Sequence, residues 1–284
     1  MYQPQPLIQP LASLGCKKSM SQTHYFQRQH KNTCAIITFD RVEKHNAFNS
    51  EFIEKLYNVL KEIEKDNRIR SVLIRANGRN FCAGADLTWM HSAAAANHSE
   101  KDALKLTALL NKLNNLSKPT LALLQGRVIG GGIGLVACCD IVLATPDTKF
   151  CFSEVKLGLI PATIAPYVIP VIGYRAARRY FLTAELFNVE TALSLGLIDH
   201  IHEQKKLLHA GLHIAETLSN NGPLAMKAAK RLINDLNPIT PQCIRKVATL
   251  LTDIRKGFEA QEGLNAFLGK RKPFWKKNNC HLQD

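Results

Sequence analysis

The sequence predicts an α/β protein with a helical C-terminal annex, and three observations carry that prediction. Short apolar strand-like runs recur over the first 200 or so residues, separated by helical patterns. Two small-residue loops follow two of those runs. Beyond about residue 203 the pattern is helical only. With 284 residues, 46% of them hydrophobic, the chain can build one sizeable domain with an appendage, or two small domains.

The elements follow in order. Cys34–Phe39 reads as a strand. Over Glu51–Asp66 the apolar positions 52, 53, 56, 59, 60 and 63 repeat with helical spacing, and Ser50 is the expected N-cap. Ser71–Arg75 is a strand. Ser99 opens a helix to about Asn115, with Glu100 and Asp102 in the first turn, where the helix dipole favours acids. Pro119 precedes the strand Thr120–Leu124, and a glycine-rich run, Gly126–Gly134, leads into a helix over Ile133–Cys139. Strands are expected at Asp140–Ala144 and Thr148–Phe152. Pro161, Pro166 and Pro170 should break the next stretch into short helices. Thr191–Leu195 is helical and Gly196 stops it. Helices at about 203–219, 223–235 and 241–268 complete the chain. The expected division is a leader over 1–23, a core over 24–202 and a helical region over 203–284.

The N-terminal 20 residues hold Pro4, Pro6 and Pro10 and no long apolar core, so they do not read as a signal peptide. Leu14-Gly15-Cys16 lacks the apolar stretch of a lipidation site. A disordered leader is expected, with Met20 as an alternative start. No apolar run approaches 18 residues, which argues against a membrane span. Eight cysteines, at 16, 34, 82, 138, 139, 151, 243 and 280, form no Cys-x-x-Cys pair. They fit buried thiols in a reducing cytoplasm better than disulfides or a metal site. The formal net charge is +14, and residues 226–284 hold twelve Lys/Arg against five Asp/Glu. That balance favours an anionic partner.

Two loops and one acid suggest chemistry. Glycines before a helix let a ligand approach unpaired backbone N–H groups, so Gly131 can donate to an oxygen becoming negative. Phe81-Cys-Ala-Gly-Ala-Asp-Leu87 can supply a second donor at Ala85. Glu154 stands twenty positions after Gly134 and can move a proton at a carbon beside a thioester carbonyl. Taken singly, the glycine run is a turn or a close-packing point, Asp86 and Asp140 brace local backbone, and His45 and His91 are surface residues. Gly132-x-Gly134-x-x-Ala137 mimics a dinucleotide fingerprint, but the acids at 147 and 154 follow too closely for that unit.

Lys44-His-Asn46-Ala47-Phe48, the Phe81–Leu87 loop, Gly126–Gly134, Cys139-Asp140-Ile and Glu154 with Gly158-Leu-Ile-Pro161 occur in the order and spacing of the crotonase superfamily. The chain therefore resembles enoyl-CoA hydratases and isomerases over roughly residues 24–278. The resemblance implies a spiral of β-β-α turns, a helical trimerisation region, and trimers usually paired into hexamers. It implies catalysis by Glu154 with an oxyanion hole at Ala85 and Gly131. Ala83, Ala85 and Leu87 would line the adenine pocket, with Asp86 and Gly134 in the same two loops. Lys44 and His45 would lie near the CoA backbone, and Phe267 and Lys270 would reach a neighbouring subunit's CoA. No cofactor is implied, since CoA belongs to the substrate.

One departure stands out. Hydratases of this family carry two glutamates twenty positions apart, and Gly134 occupies the first position. Δ3,Δ2-enoyl-CoA isomerases of the family work with one, so isomerisation competes with hydration. Phe152–Ile169 and Arg175–Thr183 are similar to bacterial methylglutaconyl-CoA hydratases and to relatives acting on isohexenylglutaconyl-CoA. Such substrates carry a second carboxylate, which would help position water in place of the absent glutamate. The expected substrate is 3-methylglutaconyl-CoA or a related branched enoyl-CoA. A reading of another class is a non-catalytic acyl-CoA- or RNA-binding protein. Aromatic content of 7% and the lack of a base-stacking motif weigh against RNA.

Overall fold

A computed structural model describes residues 21–23, 25–95, 99–236 and 238–275. The leader expected over 1–23 falls mostly outside the described residues. Residues 1–20 lie outside the described residues, but Ser21–Thr23 forms strand β1, antiparallel to β2 (Phe26–Lys31). β3 (Cys34–Phe39) is buried along its whole length, and so is most of β4 (Ser71–Ala76). Between them runs α1 (Ser50–Lys65), which buries Phe52, Ile53, Leu56, Leu60 and Ile63, the apolar stripe of the sequence. Its N-cap is Asn49, not Ser50, because the Asn49 side chain accepts from the Phe52 N–H at 2.9 Å.

α2 (Leu87–Ala95) and α3 (Ser99–Asn114) precede β5 (Thr120–Leu124). After β5 the chain turns at Gly126 into β6 (Arg127–Ile129), α4 (Gly131–Ala137), β7 (Ile141–Ala144) and β8 (Lys149–Cys151). α5 (Ala165–Thr183) is longer than the prolines suggested. Pro166 sits in its first turn, where a missing N–H costs nothing, and Pro170 lies inside the helix. The break falls instead at Gly173, with φ 76°. β9 (Phe187–Asn188), α6 (Val189–Ser194) and β10 (His200–Ile201) follow, then α7 (Gln204–Ser219), α8 (Pro223–Leu236), α9 (Pro241–Lys256) and α10 (Phe258–Leu268). The single helix expected over 241–268 is two, separated at Gly257.

The described strands form two sheets. One runs β1-β2-β3-β4-β5-β7-β10 and is parallel from β3 onward. The other runs β6-β8-β9. Parallel strands covered on both faces read as unbroken apolar runs, as β3 and β5 do. One face of the large sheet meets α1 and α3. The other meets α7, where Leu207 and Ala215 pack on Leu73, Leu121, Leu123 and Leu143. The loop after β4 lies beside β6, with Cys82 bridged to Val128, and the site forms there.

Candidate active site

Two isolated bridges tie the loop after β4 to its surroundings: Phe48 with Ala85, and Cys82 with Val128. Phe48 donates to the carbonyl of Gly84 and accepts from the N–H of Asp86, both at 2.9 Å. In a parallel bridge of this kind Ala85 spends neither of its own backbone groups on Phe48, so its N–H is left for the other side. Gly131 is the first residue of α4, and its N–H has no intrahelical acceptor. Among the described residues neither N–H has a hydrogen-bond partner. The loops touch: a Cβ placed on Gly84 would lie 3.8 Å from the Gly131 nitrogen.

Glu154 follows β8 and opens a 3₁₀ turn, Glu154–Leu157. The N–H of Gly130 donates to the carbonyl of Cys151 at 2.9 Å, which brings the glycine turn under the acid. Gly130 has φ 50°, and a Cβ there would lie 2.9 Å from Glu154 Oε1. Only glycine therefore allows this conformation and this approach together. Glu154 Oε2 is buried without a hydrogen-bond partner. Burial raises its carboxyl to about 7, with its own backbone N–H opposing part of the rise.

Ala83, Ala85, Leu87, Gly131 and Glu154 line one cavity, with Phe48, Met90, Leu106, Ile160, Ile164 and Leu251 as apolar walls. Ser153, Thr163 and Arg255 add polar groups, and Glu154 is the acid among these lining residues. A proton donor near neutrality, two free N–H groups and an apolar cleft are the parts needed to polarise a carbonyl and protonate its neighbouring carbon.

The other expected positions fall elsewhere. Gly134 is buried and does not line the cavity. A Cβ there would meet the side chain of Ile164, whose own Cβ is 2.9 Å away. The place of a first glutamate is thus filled by an apolar side chain. Asp86 does not line the cavity either. It pairs with Arg41 at 2.9 Å and accepts from the N–H groups of Thr88 and Trp89 at the start of α2, a bracing role. Asp140 similarly holds Thr120 and Lys230. Lys44 and His45 are exposed on a 3₁₀ turn, and the His45 carbonyl accepts from the Ala83 N–H. Phe267 and Lys270 are exposed at the end of α10 and off the cavity wall of this chain. His91 bridges α2 to Asn265 of α10 at 2.9 Å.

Sequence reasoning missed Arg255 and Ile164. Arg255 shares the apolar face of α9 with Ala248 and Leu251, at spacings of seven and four. A cation on an apolar stripe was the available signal.

Residues 29–278 match the family model for enoyl-CoA hydratase/isomerase. The chain belongs to the enoyl-CoA hydratase/isomerase family. Its fold is the crotonase type. An enoyl-CoA hydratase from Shewanella pealeana superposes with TM-score 0.73 at 40% identity, over 89% of this chain and 97% of that one. The 2,3-dehydroadipyl-CoA hydratase of Escherichia coli K12 is 30% identical, over 85% of this chain and 94% of its own length. Mouse mitochondrial methylglutaconyl-CoA hydratase is also 30% identical, over 85% of this chain and 79% of its own. Among the described residues no helix is long and apolar enough to cross a membrane, and no cluster of metal-ligating side chains is present.

Proposed function

We propose that this family member hydrates an enoyl-CoA thioester, with 3-methylglutaconyl-CoA or a related branched enoyl-CoA as substrate. The carrying observation is the Glu154 carboxyl, raised to about 7 and facing the same cavity as the free N–H groups of Ala85 and Gly131. In this reading the thioester oxygen accepts from both N–H groups, the water oxygen bonds to C3 as the double-bond pair shifts to C2, and Glu154 gives its proton to C2 and takes up the one the water releases. Each oxyanion donor is worth about 2.7–4 kcal/mol of transition-state stabilisation. The Escherichia coli and mouse relatives are named for 2,3-dehydroadipyl-CoA and methylglutaconyl-CoA, thioesters with a second carboxylate, which supports the choice of acyl group. CoA enters as part of the substrate, and no further cofactor is required. In a trimer or hexamer, Phe267 and Lys270 would reach CoA bound to a neighbouring subunit.

Isomerisation by Glu154 alone is the second reading, and one observation favours it. Ile164 occupies the space that a glutamate at position 134 would need. Assays of crotonyl-, 3-enoyl- and 3-methylglutaconyl-CoA side by side, with wild type and Glu154→Gln, separate the two. Hydration predicts turnover of the 3-methylglutaconyl thioester, with loss of at least a hundredfold in the variant. Turnover confined to the 3-enoyl thioester would establish the isomerase reading. Full activity of the Gln variant would remove Glu154 from either.

A further inference from the structure

Arg255 is a second charged group on the cavity wall, and the proposed proton transfer does not use it. It lies near the C-terminal end of α9 and is 4% exposed. Its Nε and Nη1 atoms are buried and have no hydrogen-bond partner. Among the described residues it forms no ion pair. Asp102 in the first turn of α3 is the acid whose field reaches it, without closing to pairing distance. Burial weakens the hold of this guanidinium on its proton, and Asp102 offsets that only in part. A buried cation is normally paired, because desolvation without a partner is costly. Here the missing partner would have to come from the cavity.

The surroundings limit what that partner is. The cavity that holds both Glu154 and Arg255 is walled mainly by apolar side chains, Leu106, Ile160, Ile164 and Leu251 among them, with Ser153 and Thr163 as neutral polar groups. A thioester held at Ala85 and Gly131 therefore has its acyl chain in an apolar channel that also contains a guanidinium. A simple alkyl chain would leave the guanidinium desolvated and unpaired. A carboxylate at the far end of the acyl chain would meet the planar fork of an arginine with matching geometry.

We infer that Arg255 is a specificity-determining residue that receives a second carboxylate on the acyl group, so the preferred substrates are enoyl-CoA thioesters of dicarboxylic acids. This rests on the proposed placement of the thioester at Ala85 and Gly131, and not on which reaction follows. A carboxylate offers about four lone-pair sites, so pairing with Arg255 leaves capacity to hold a water molecule. That is the role the sequence left open when Gly134 replaced a glutamate.

The test uses two saturated thioesters that the enzyme cannot turn over, glutaryl-CoA and butyryl-CoA, titrated calorimetrically into the full-length protein. Wild type should bind glutaryl-CoA roughly tenfold to a hundredfold more tightly, as expected for charge-assisted hydrogen bonds. Arg255→Met should remove that preference while leaving butyryl-CoA binding equal or better. Arg255→Lys should keep part of it, and thermal unfolding of each variant reports on folding. If Arg255→Met fails to fold, the wild-type and Lys measurements decide. No preference in wild type, a preference that survives in Arg255→Met, or a Lys variant that loses affinity for both thioesters equally would each overturn the inference. Because neither ligand reacts, failure of the hydratase reading cannot produce or hide these results.

Discussion

Glu154→Gln should inactivate the protein and, relative to wild type, gain stability as pH rises through neutrality. Burial holds the Glu154 carboxyl at about 7 against an ordinary 4.5. At 1.36 kcal/mol per pKa unit, ionising it in the folded protein takes about 3 kcal/mol more than in the unfolded chain. The folded-state pKa is the higher one, so the folded protein binds more proton between 4.5 and 7. Its stability therefore falls as pH rises through that window and levels off above 7. A glutamine has nothing to ionise and escapes this loss. Its amide brings an offset of its own, but one that does not depend on pH. The readout is the difference in unfolding free energy between variant and wild type at pH 5 and pH 8. It should move in favour of the variant by about 2–3 kcal/mol. At roughly 2–4 °C per kcal/mol for a chain of this size, the corresponding change in Tm is about 4–12 °C. Denaturant or thermal unfolding, without thioester and at one protein concentration, gives both numbers. A difference that stays constant across this range, or moves against the variant, would refute the reasoning. It would mean that Glu154 ionises freely in the folded state.

Further outcomes follow from the same packing. Gly134→Glu should lower stability and give no gain in hydration of 3-methylglutaconyl-CoA, because its Cβ enters the space of Ile164. Overpacking of this kind costs about 1–3 kcal/mol, and urea unfolding with a hydration assay checks both parts. Adding Ile164→Ala should make the pair of changes less harmful than the sum of the two single ones, a coupling that a double-mutant cycle measures. Gly130→Ala should reduce kcat/KM by at least a hundredfold, since the methyl group meets Glu154 Oε1 at 2.9 Å in a left-handed conformation. Cys82, whose thiol burial pushes up to about 12, should resist thiol reagents in the native state and react only on unfolding.

The elements with strong patterns were legible. The stripe at 52, 53, 56, 60 and 63 gave α1, and the apolar runs gave β3 and β5, because each pattern reports burial directly. Caps and breaks were less so. Asn49 and Ser50 are both competent N-caps, and only the backbone conformation of Asn49 decides between them. Gly257 divides the last long helix by adopting an extended backbone, with φ −66° and ψ 155°, that no local composition demands. That the loops of Gly84 and Gly131 meet could be read because glycines mark close backbone approach. Asp86 was legible as a brace for local backbone, but its partner Arg41 was not, since the pair spans 45 positions and forms only when β3 and β4 pair. Arg255 was hidden as a cavity residue for the same reason. Its place on the apolar stripe with Ala248 and Leu251 marks it as buried, but its helix meets the cavity only after α9 docks against α3.

The most direct test of the account is incubation of 3-methylglutaconyl-CoA with the protein in oxygen-18 water, followed by mass spectrometry of the thioester. The account predicts one heavy oxygen in the hydroxyacyl product from wild type and almost none from Glu154→Gln. A product with a moved double bond and no heavy oxygen, or equal labelling by the variant, would contradict it.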